Sequence, residues 1–174
     1  MKTNTNIEST LHEFRLPAYN EIPDVGLYLE QVAKFINSYF IEFPEMQVTP
    51  SMISNYAKQK LFDRVNKKTY TRNQISILLF IVCAKTVLSI ENIRLALHDF
   101  HEGNDTMEEL YQYCSESLMS TLSSFYHHEQ SETTILHDDK HPMLNNIITA
   151  VAHKMYLERY FASLKRIDGL LCIK

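Results

Sequence analysis

Apolar residues recur at three- and four-residue spacing along most of the chain, which is the spacing of a helix with one buried face. Val25, Leu29, Val32 and Ile36 form one such stripe, and residues 75–84 form a run that is apolar all round. Together with candidate capping residues, the pattern predicts helices at about residues 24–40, 50–59, 75–87, 90–102, 106–126 and 142–166.

The starts of these helices are marked by residues whose side chains accept hydrogen bonds from backbone amides. Asp24, Thr49 and Ser89 are predicted single caps, and Pro50 suits the first helical position. Thr71 with Gln74 and Thr106 with Glu109 have the spacing of a capping box. Gly103 and Gly169 are predicted to end two of the helices.

The remaining segments are expected to be loops, apart from one small wing. Residues 62–70 have no helical stripe and contain the turn-like sequence NKK, so they predict a loop or a two-stranded wing. The fold class predicted is therefore all-α, mostly helical. It has a weakly ordered lead-in at residues 1–23, a head at 24–100 and a helical body at 101–174.

One stretch of this acidic chain is strongly basic. The net charge of the whole chain is -4, yet the segment from Thr49 to Arg72 holds six bases and one acid, Asp63, and so carries +5. The bases are Lys58, Lys60, Arg64, Lys67, Lys68 and Arg72. Most charge runs are solvated surfaces, but here the charge coincides with a capped helix and a turn.

The order of a helix, a short capped helix, a basic loop and a buried helix is typical of a helix-turn-helix unit with a wing. In such a unit the second helix enters the major groove, and loop cations contact phosphates. Tyr56 and Tyr70 are expected to pack inward. The outward face of helix 50–59 then carries Ser51, Ser54, Asn55 and Lys58, among which Asn55 and Lys58 are predicted to read bases. Phosphate contacts are predicted for Lys60, Arg64, Lys67, Lys68 and Arg72.

Several spacings in this region resemble the winged helix-turn-helix head of MerR-type transcription regulators. They are an aromatic residue followed five and six positions later by two apolar residues, then a basic-x-Tyr in the wing and a Leu-Ser-Ile-x-x-Ile at the next helix. The residues concerned are Tyr56, Leu61, Phe62, Lys68 to Tyr70, and Leu88 to Ile93. The match covers about residues 48–97 and implies a DNA-binding head.

With the upstream sequence included, the chain resembles more closely a bacterial family of unknown function that has a MerR-like head. The features that carry this resemblance are IPDVGLYLEQV and, after it, TPSMISNY. Four positions depart from the MerR pattern. Ser54 replaces an arginine, Ala57 an acid and Lys60 a turn glycine, and the proline expected after Phe62 is absent.

No nucleophile, phosphate-loop, dinucleotide or zinc-protease motif occurs, so neither enzyme activity nor a cofactor is predicted. Three cysteines without paired spacing argue against disulfides and a thiolate zinc site. The histidines and acids near residues 127–141 match no ligand spacing, so no metal site is predicted from His127, His128, His137, Asp138, Asp139 and His141.

The absence of a signal sequence and of an apolar run of about 18 residues predicts a cytoplasmic protein without a membrane partner. The partners expected are double-stranded DNA and a second copy of the chain, because one head covers a single half-site. Helices 106–126 and 142–166 would form this homodimer. Two alternatives stay open: a protein-interaction module that does not bind DNA, and a sensor whose small-molecule effector lies between the C-terminal helices.

Overall fold

A computed structural model describes residues 2–63, 65, 68–125 and 141–171. In these ranges the chain forms seven α-helices and one two-stranded sheet, so the prediction of an all-α fold is confirmed. The helices are α1 (Lys2–Glu13), α2 (Leu29–Tyr39), α3 (Pro50–Lys58), α4 (Arg72–Ala84), α5 (Ile90–Glu102), α6 (Met107–Ser124) and α7 (Pro142–Leu171). The strands β1 (Leu27–Tyr28) and β2 (Thr69–Tyr70) are antiparallel.

The chain divides into two compact units. We call Leu16–Glu116 the central unit, and Met1–Arg15 together with Ser117–Lys174 the terminal unit. The central unit holds the sheet and helices α2 to α5, whereas the terminal unit holds α1 and α7.

Helix α4 lies at the centre of the central unit. Most of its residues are buried, including Ile75, Leu78 and Ile81, which have no accessible surface. A helix that is apolar all round has to be enclosed on every side. Neighbouring helices contribute their own fully buried residues to the same unit, among them Val32, Ile36, Ile53 and Ile93.

The N-terminal segment contains a helix that the sequence analysis did not predict. Helix α1 packs against α7, and Ile7, Leu11 and Phe14 are buried. These three residues recur at four- and three-residue spacing, but polar neighbours surround them, so the stripe is short. The expectation of a weakly ordered lead-in is therefore wrong for Lys2–Glu13.

Helix α2 begins five residues later than its predicted cap. Asp24 does not cap the helix, which begins at Leu29, and Val25 is 88% exposed instead of inward-facing. The cause is a turn at Gly26, where φ is 72°, followed by strand β1. Pairing with β2 keeps residues 27–28 extended and delays the start of the helix.

The predicted wing has a different strand partner from the one expected. Among the described residues of 62–70, none pairs with strand β2. Strand β2 pairs with β1, with Leu27 opposite Tyr70 and Tyr28 opposite Thr69. The partner strand precedes α2 in the chain, so the pairing bridges about forty residues and leaves no local sequence signal.

Four of the predicted helix caps are confirmed. The hydroxyls of Thr49, Thr71, Ser89 and Thr106 each accept a hydrogen bond from the backbone amide three residues later, at 3.2 to 3.4 Å. Each bond satisfies an amide that has no partner within its helix. At the other end, α5 stops at Glu102, directly before Gly103 as predicted, whereas α7 continues through Gly169.

Of the described cysteines, Cys83 is buried and Cys114 is half-buried. Burial raises the pKa of Cys83 and of Cys114 to about 12, and the neighbouring Cys83 raises that of Cys114 further. Both thiols therefore stay protonated at neutral pH, which makes them poor nucleophiles and poor metal ligands. Cys172 lies outside the described residues.

The turn before β1 generates a stability prediction. A Cβ added at Gly26 would lie 3.2 Å from Cβ and Oγ1 of Thr69, and the positive φ disfavours any side chain. We expect Gly26→Ala to lower the free energy of unfolding by about 1 to 2 kcal/mol, measured by urea denaturation.

The matched control is Gly103→Ala. Gly103 has φ -73°, and its added Cβ would meet Phe100 O at 3.4 Å, an ordinary contact. We expect this variant to be neutral or more stable by up to about 1 kcal/mol. Equal destabilisation by both substitutions would contradict the assignment of strain to the turn at Gly26.

Candidate nucleic-acid interface

Helix α3 carries the outward face that was predicted to read DNA. Its rotation about its own axis is set by Ile53 and Tyr56, which are buried. The opposite face therefore presents Ser51, Asn55 and Lys58, which are all exposed. Ser54 lies at the edge of this face and is half-buried.

The segment that joins α2 to α3 is held by a reciprocal side-chain clamp. Nδ2 of Asn37 donates to Val48 O at 2.9 Å, and Oδ1 of the same amide accepts from Val48 N at 2.8 Å. The segment covers residues 40–49 and includes a 3₁₀ turn at Pro44–Met46, so it is longer than the three- or four-residue turn of a helix-turn-helix. The clamp nevertheless ties the start of α3 to α2.

Helix α3 ends in a Schellman turn at Lys60. Leu61 N donates to Tyr56 O at 3.2 Å, and Lys60 N donates to Ala57 O at 3.0 Å. This bond pattern requires the left-handed conformation, and φ of Lys60 is 56°. Lys60 therefore adopts the backbone conformation that glycine favours, and its exposed side chain adds a cation beside α3.

Lys68 repeats this feature at the start of β2. It is exposed, and its φ is 63°, again in the left-handed region. Among the non-glycine residues of the described ranges, Lys60 and Lys68 alone have positive φ. Both belong to the basic segment.

Two aromatic residues of this region pack inward, as expected. Tyr56 and Tyr70 are each 5% exposed, and the ring of Tyr70 lies 6.2 Å from that of Phe62 between centroids. Burial raises the pKa of both hydroxyls, so they stay neutral.

Gln74 positions the beginning of the basic loop, residues 62–70. This role could not be predicted from the sequence. Its Oε1 accepts from Thr71 N at 2.9 Å and completes the capping box, while its Nε2 donates to Asp63 O at 2.8 Å. The side chain is thus a buried link between the start of α4 and the loop after α3. The capping box was visible in the sequence, but the bond to Asp63 connects residues eleven apart and was not.

The side chain of Arg72 contacts three other residues of the central unit. Its Nε donates to Ile22 O at 2.8 Å, its guanidinium lies 5.4 Å from the centroid of the Tyr19 ring, and its NH1 is 3.9 Å from Asp24. These contacts fasten the segment before β1 to the start of α4. They also direct the guanidinium towards residues 19–24.

Arg94 adds a cation that the sequence analysis did not select. It donates from NH2 to Gln59 O at 3.3 Å, at the C-terminal end of α3, and pairs with Glu91 one turn earlier in α5. A cation is favourable at this end of a helix because the last carbonyls carry partial negative charge. Of these two contacts, only the pair with Glu91 could be predicted from the sequence, because the two residues are three apart on one helix.

The predicted site residues fall into three groups. Exposed positions on or beside α3 and β2 are occupied by Ser51, Asn55, Lys58, Lys60 and Lys68, with Ser54 half-buried at the edge of α3. Arg72 makes the internal contacts given above. Arg64 and Lys67 lie outside the described residues.

In the described part of the chain, no three His, Cys, Asp or Glu side chains lie close enough to hold a metal ion. The acids and histidines between residues 127 and 139 lie outside that part, and His141 directly precedes α7.

None of the described helices combines the length and apolar content that a bilayer crossing requires.

A protein family matches most of the central unit. The chain belongs to the family described as Domain of unknown function (DUF1836), whose match covers residues 17–114. These limits lie within two residues of the central unit, which runs from Leu16 to Glu116. No curated protein and no solved structure matches the chain.

The double role of Gln74 predicts a loss of stability in two substitutions. Gln74→Glu keeps the acceptor for Thr71 N and removes the donor to Asp63 O, whereas Gln74→Met removes both bonds and leaves no buried charge. We expect each to lower the free energy of unfolding by about 1 to 3 kcal/mol. Urea denaturation at neutral pH measures this loss.

The pH dependence separates the two variants. The carboxyl introduced by Gln74→Glu is buried and would regain a donor when protonated. This variant should therefore recover stability as the pH falls towards about 5, and Gln74→Met should not. Stability of Gln74→Glu equal to that of the parent at neutral pH would refute the role of the bond to Asp63.

Proposed function

We propose that this protein is a DNA-binding transcription regulator with a MerR-like head. In this proposal α3 lies in the major groove of double-stranded DNA, and the cations beside it contact phosphates. The observation that carries the proposal is the conformation of Lys60 and Lys68. Both are exposed lysines in the left-handed backbone region, where glycine would be less strained.

Strained backbone of this kind is typical of functional positions. For a residue with a Cβ, the left-handed conformation costs about 1 to 2 kcal/mol. Lysine gives no local hydrogen bond that would offset this cost, in contrast to asparagine or aspartate. Two such lysines in one basic segment are therefore best explained by what their ammonium groups bind.

The anion that fits these groups best is a nucleic-acid backbone. Lys60 follows α3 directly, so a phosphate bound there would place the exposed face of α3 towards the base edges. Asn55 pairs well with adenine and Lys58 with guanine. Arg64 and Lys67 would add phosphate contacts, whereas the guanidinium of Arg72 serves the packing of residues 19–24.

Two further features support the proposal. The clamp between Asn37 and Val48 makes α2 and α3 a stiff pair despite their long connection, and a stiff pair is what a groove-binding helix needs. The pairing of Thr69 with Tyr28 fixes the backbone directly after Lys68. The proposal includes a cytoplasmic location, where a regulator meets its DNA.

We also propose that the regulator acts as a homodimer. Helix α7 has an exposed apolar stripe at the i, i+3, i+4, i+7 spacing of one helical face, formed by Leu157, Tyr160, Phe161 and Leu164. Each of these side chains is at least 37% exposed. A second copy would present the same stripe, and two heads would then cover two half-sites.

Replacing Lys60 by glycine should have opposite effects on stability and on DNA binding. We expect Lys60→Gly to raise the free energy of unfolding by about 0.5 to 1 kcal/mol, because the relief of strain exceeds the added flexibility of the unfolded chain. The same substitution should weaken binding to genomic DNA fragments and reduce the slope of log K against log salt by about 1.

The controls separate charge from conformation. Lys60→Arg keeps the cation and the strain, so it should retain the salt slope, while Lys165→Gln removes an exposed cation from α7 and should leave DNA affinity unchanged. A parent protein that binds all fragments weakly, with no dependence on salt, would refute the DNA-binding proposal.

The dimer proposal is tested by placing a charge in the stripe. We expect Phe161→Glu to shift the mass in sedimentation velocity from two chains to one at micromolar concentration, because a buried unpaired carboxylate is costly. Ser120→Glu adds the same charge at an exposed position on α6 and should leave the dimer intact. A parent that is monomeric at all concentrations would contradict the proposal.

A further inference from the structure

A cavity of about 780 Å³ lies in the central unit beside the proposed DNA-binding face. It is bounded by the C-terminal end of α3, the segment that follows α3, and α5. Its volume is within the range of about 300 to 1,000 Å³ that small-molecule sites occupy. The cavity differs in place from the effector site expected between the C-terminal helices.

The lining combines an apolar floor with a cationic rim. The floor is formed by Ala57, Leu61, Phe62, Val65 and Leu97. The rim carries Lys58, Lys60 and Arg94, against one carboxylate, Asp63. Arg94 also pairs with Glu91, so Lys58 and Lys60 against Asp63 leave the rim with a net positive charge, which favours an anionic group.

Hydrogen bonds fix the backbone at Lys60 and the guanidinium of Arg94. Lys60 is held by the Schellman turn, and Arg94 is tied to Gln59 O, so the two approach the cavity from α3 and α5 respectively. Asp63 is held through its backbone by Gln74. The cavity is therefore bordered by anchored residues, which reduces the entropy cost of binding a ligand.

We infer that this cavity binds a small organic anion, an acidic head group on an apolar body such as an aromatic or medium-chain carboxylate. The head group pairs with Lys58, Lys60 and Arg94, and the apolar body covers Leu61, Phe62 and Leu97. Neither the cationic rim nor the apolar floor alone selects this class of ligand. A fully polar anion leaves the floor hydrated, and a neutral hydrocarbon leaves the cations unused.

The same lysines take part in the proposed DNA contacts, so ligand and DNA compete for them. This part of the inference rests on the proposed function. An anion bound at the rim neutralises Lys58 and Lys60 and thereby removes two of the cations that would meet phosphates. The ligand is then an inducer that releases the protein from DNA, with no change of fold required.

The test uses two probes that share an apolar body. Anilinonaphthalene sulfonate carries the anionic head group, and phenylnaphthylamine is its neutral counterpart. Fluorescence titration of the folded 174-residue chain is expected to give one sulfonate bound per chain, at least tenfold tighter than the neutral probe. Equal affinities of the two probes would overturn the inference.

Two variants assign the binding to this cavity. Ala57→Leu narrows the cavity from α3 and keeps every rim charge, so it should weaken binding of both probes by a similar factor of at least tenfold. The double variant Lys58→Gln with Lys60→Gln keeps the floor, so it should weaken the sulfonate at least tenfold and leave the neutral probe unchanged. Thermal unfolding curves check that both variants are folded. Undiminished sulfonate binding in both variants would overturn the inference.

A DNA-binding competition distinguishes this inference from the proposed function. Sulfonate at the concentration that just saturates the parent should weaken DNA binding of the parent at least tenfold and have a much smaller effect on Ala57→Leu, whose lysines remain. DNA binding without any sulfonate binding refutes the cavity inference and leaves the proposed function standing. Sulfonate binding at the cavity by a protein that never binds DNA supports the ligand site and refutes the regulator.

Discussion

The enclosure of helix α4 is the constraint on which the central unit depends. This helix has no polar face to present to water, so its burial requires neighbours on every side. Its one buried amide side chain, Gln74, sits at the N-terminal end, where it satisfies both the helix start and the loop after α3. The most apolar part of the chain therefore also positions its most basic part.

In the proposed function, DNA contact and stability make opposite demands on the turn after α3. The Schellman bonds need a left-handed residue, and glycine would meet that need with the least strain. Lysine at this position keeps the bonds and adds a charge beside the helix, at a cost in backbone energy. Lys68, directly before β2, likewise adds an exposed charge at a cost in backbone energy. In the proposed function, phosphate binding at both positions offsets this cost.

The features that sequence predicted well are local, and those it missed join distant residues. The caps at Thr49, Thr71 and Ser89 involve residues three apart, so their spacing is readable, and α3, α4 and α5 each begin directly after their cap. The pairing of β1 with β2 and the contacts of Arg72 with residues 19–24 bridge about 40 to 50 positions, and no periodicity encodes them. The exposed face of α3 was predictable because Ile53 and Tyr56 fix its rotation. The cavity was not predictable, because it forms only where α5 approaches the end of α3.

The shared use of Lys58 and Lys60 gives the two proposed sites a defined thermodynamic relation. If an anion in the cavity lowers DNA affinity by some factor, DNA lowers the affinity for that anion by the same factor, because the coupling free energy is reciprocal. The coupling is electrostatic, so salt screens it along with both binding reactions. It requires no second conformation of the protein. In the proposed function, the exposed lysines at one rim together with Arg94, which donates to Gln59 O, would be sufficient for ligand-controlled release from DNA.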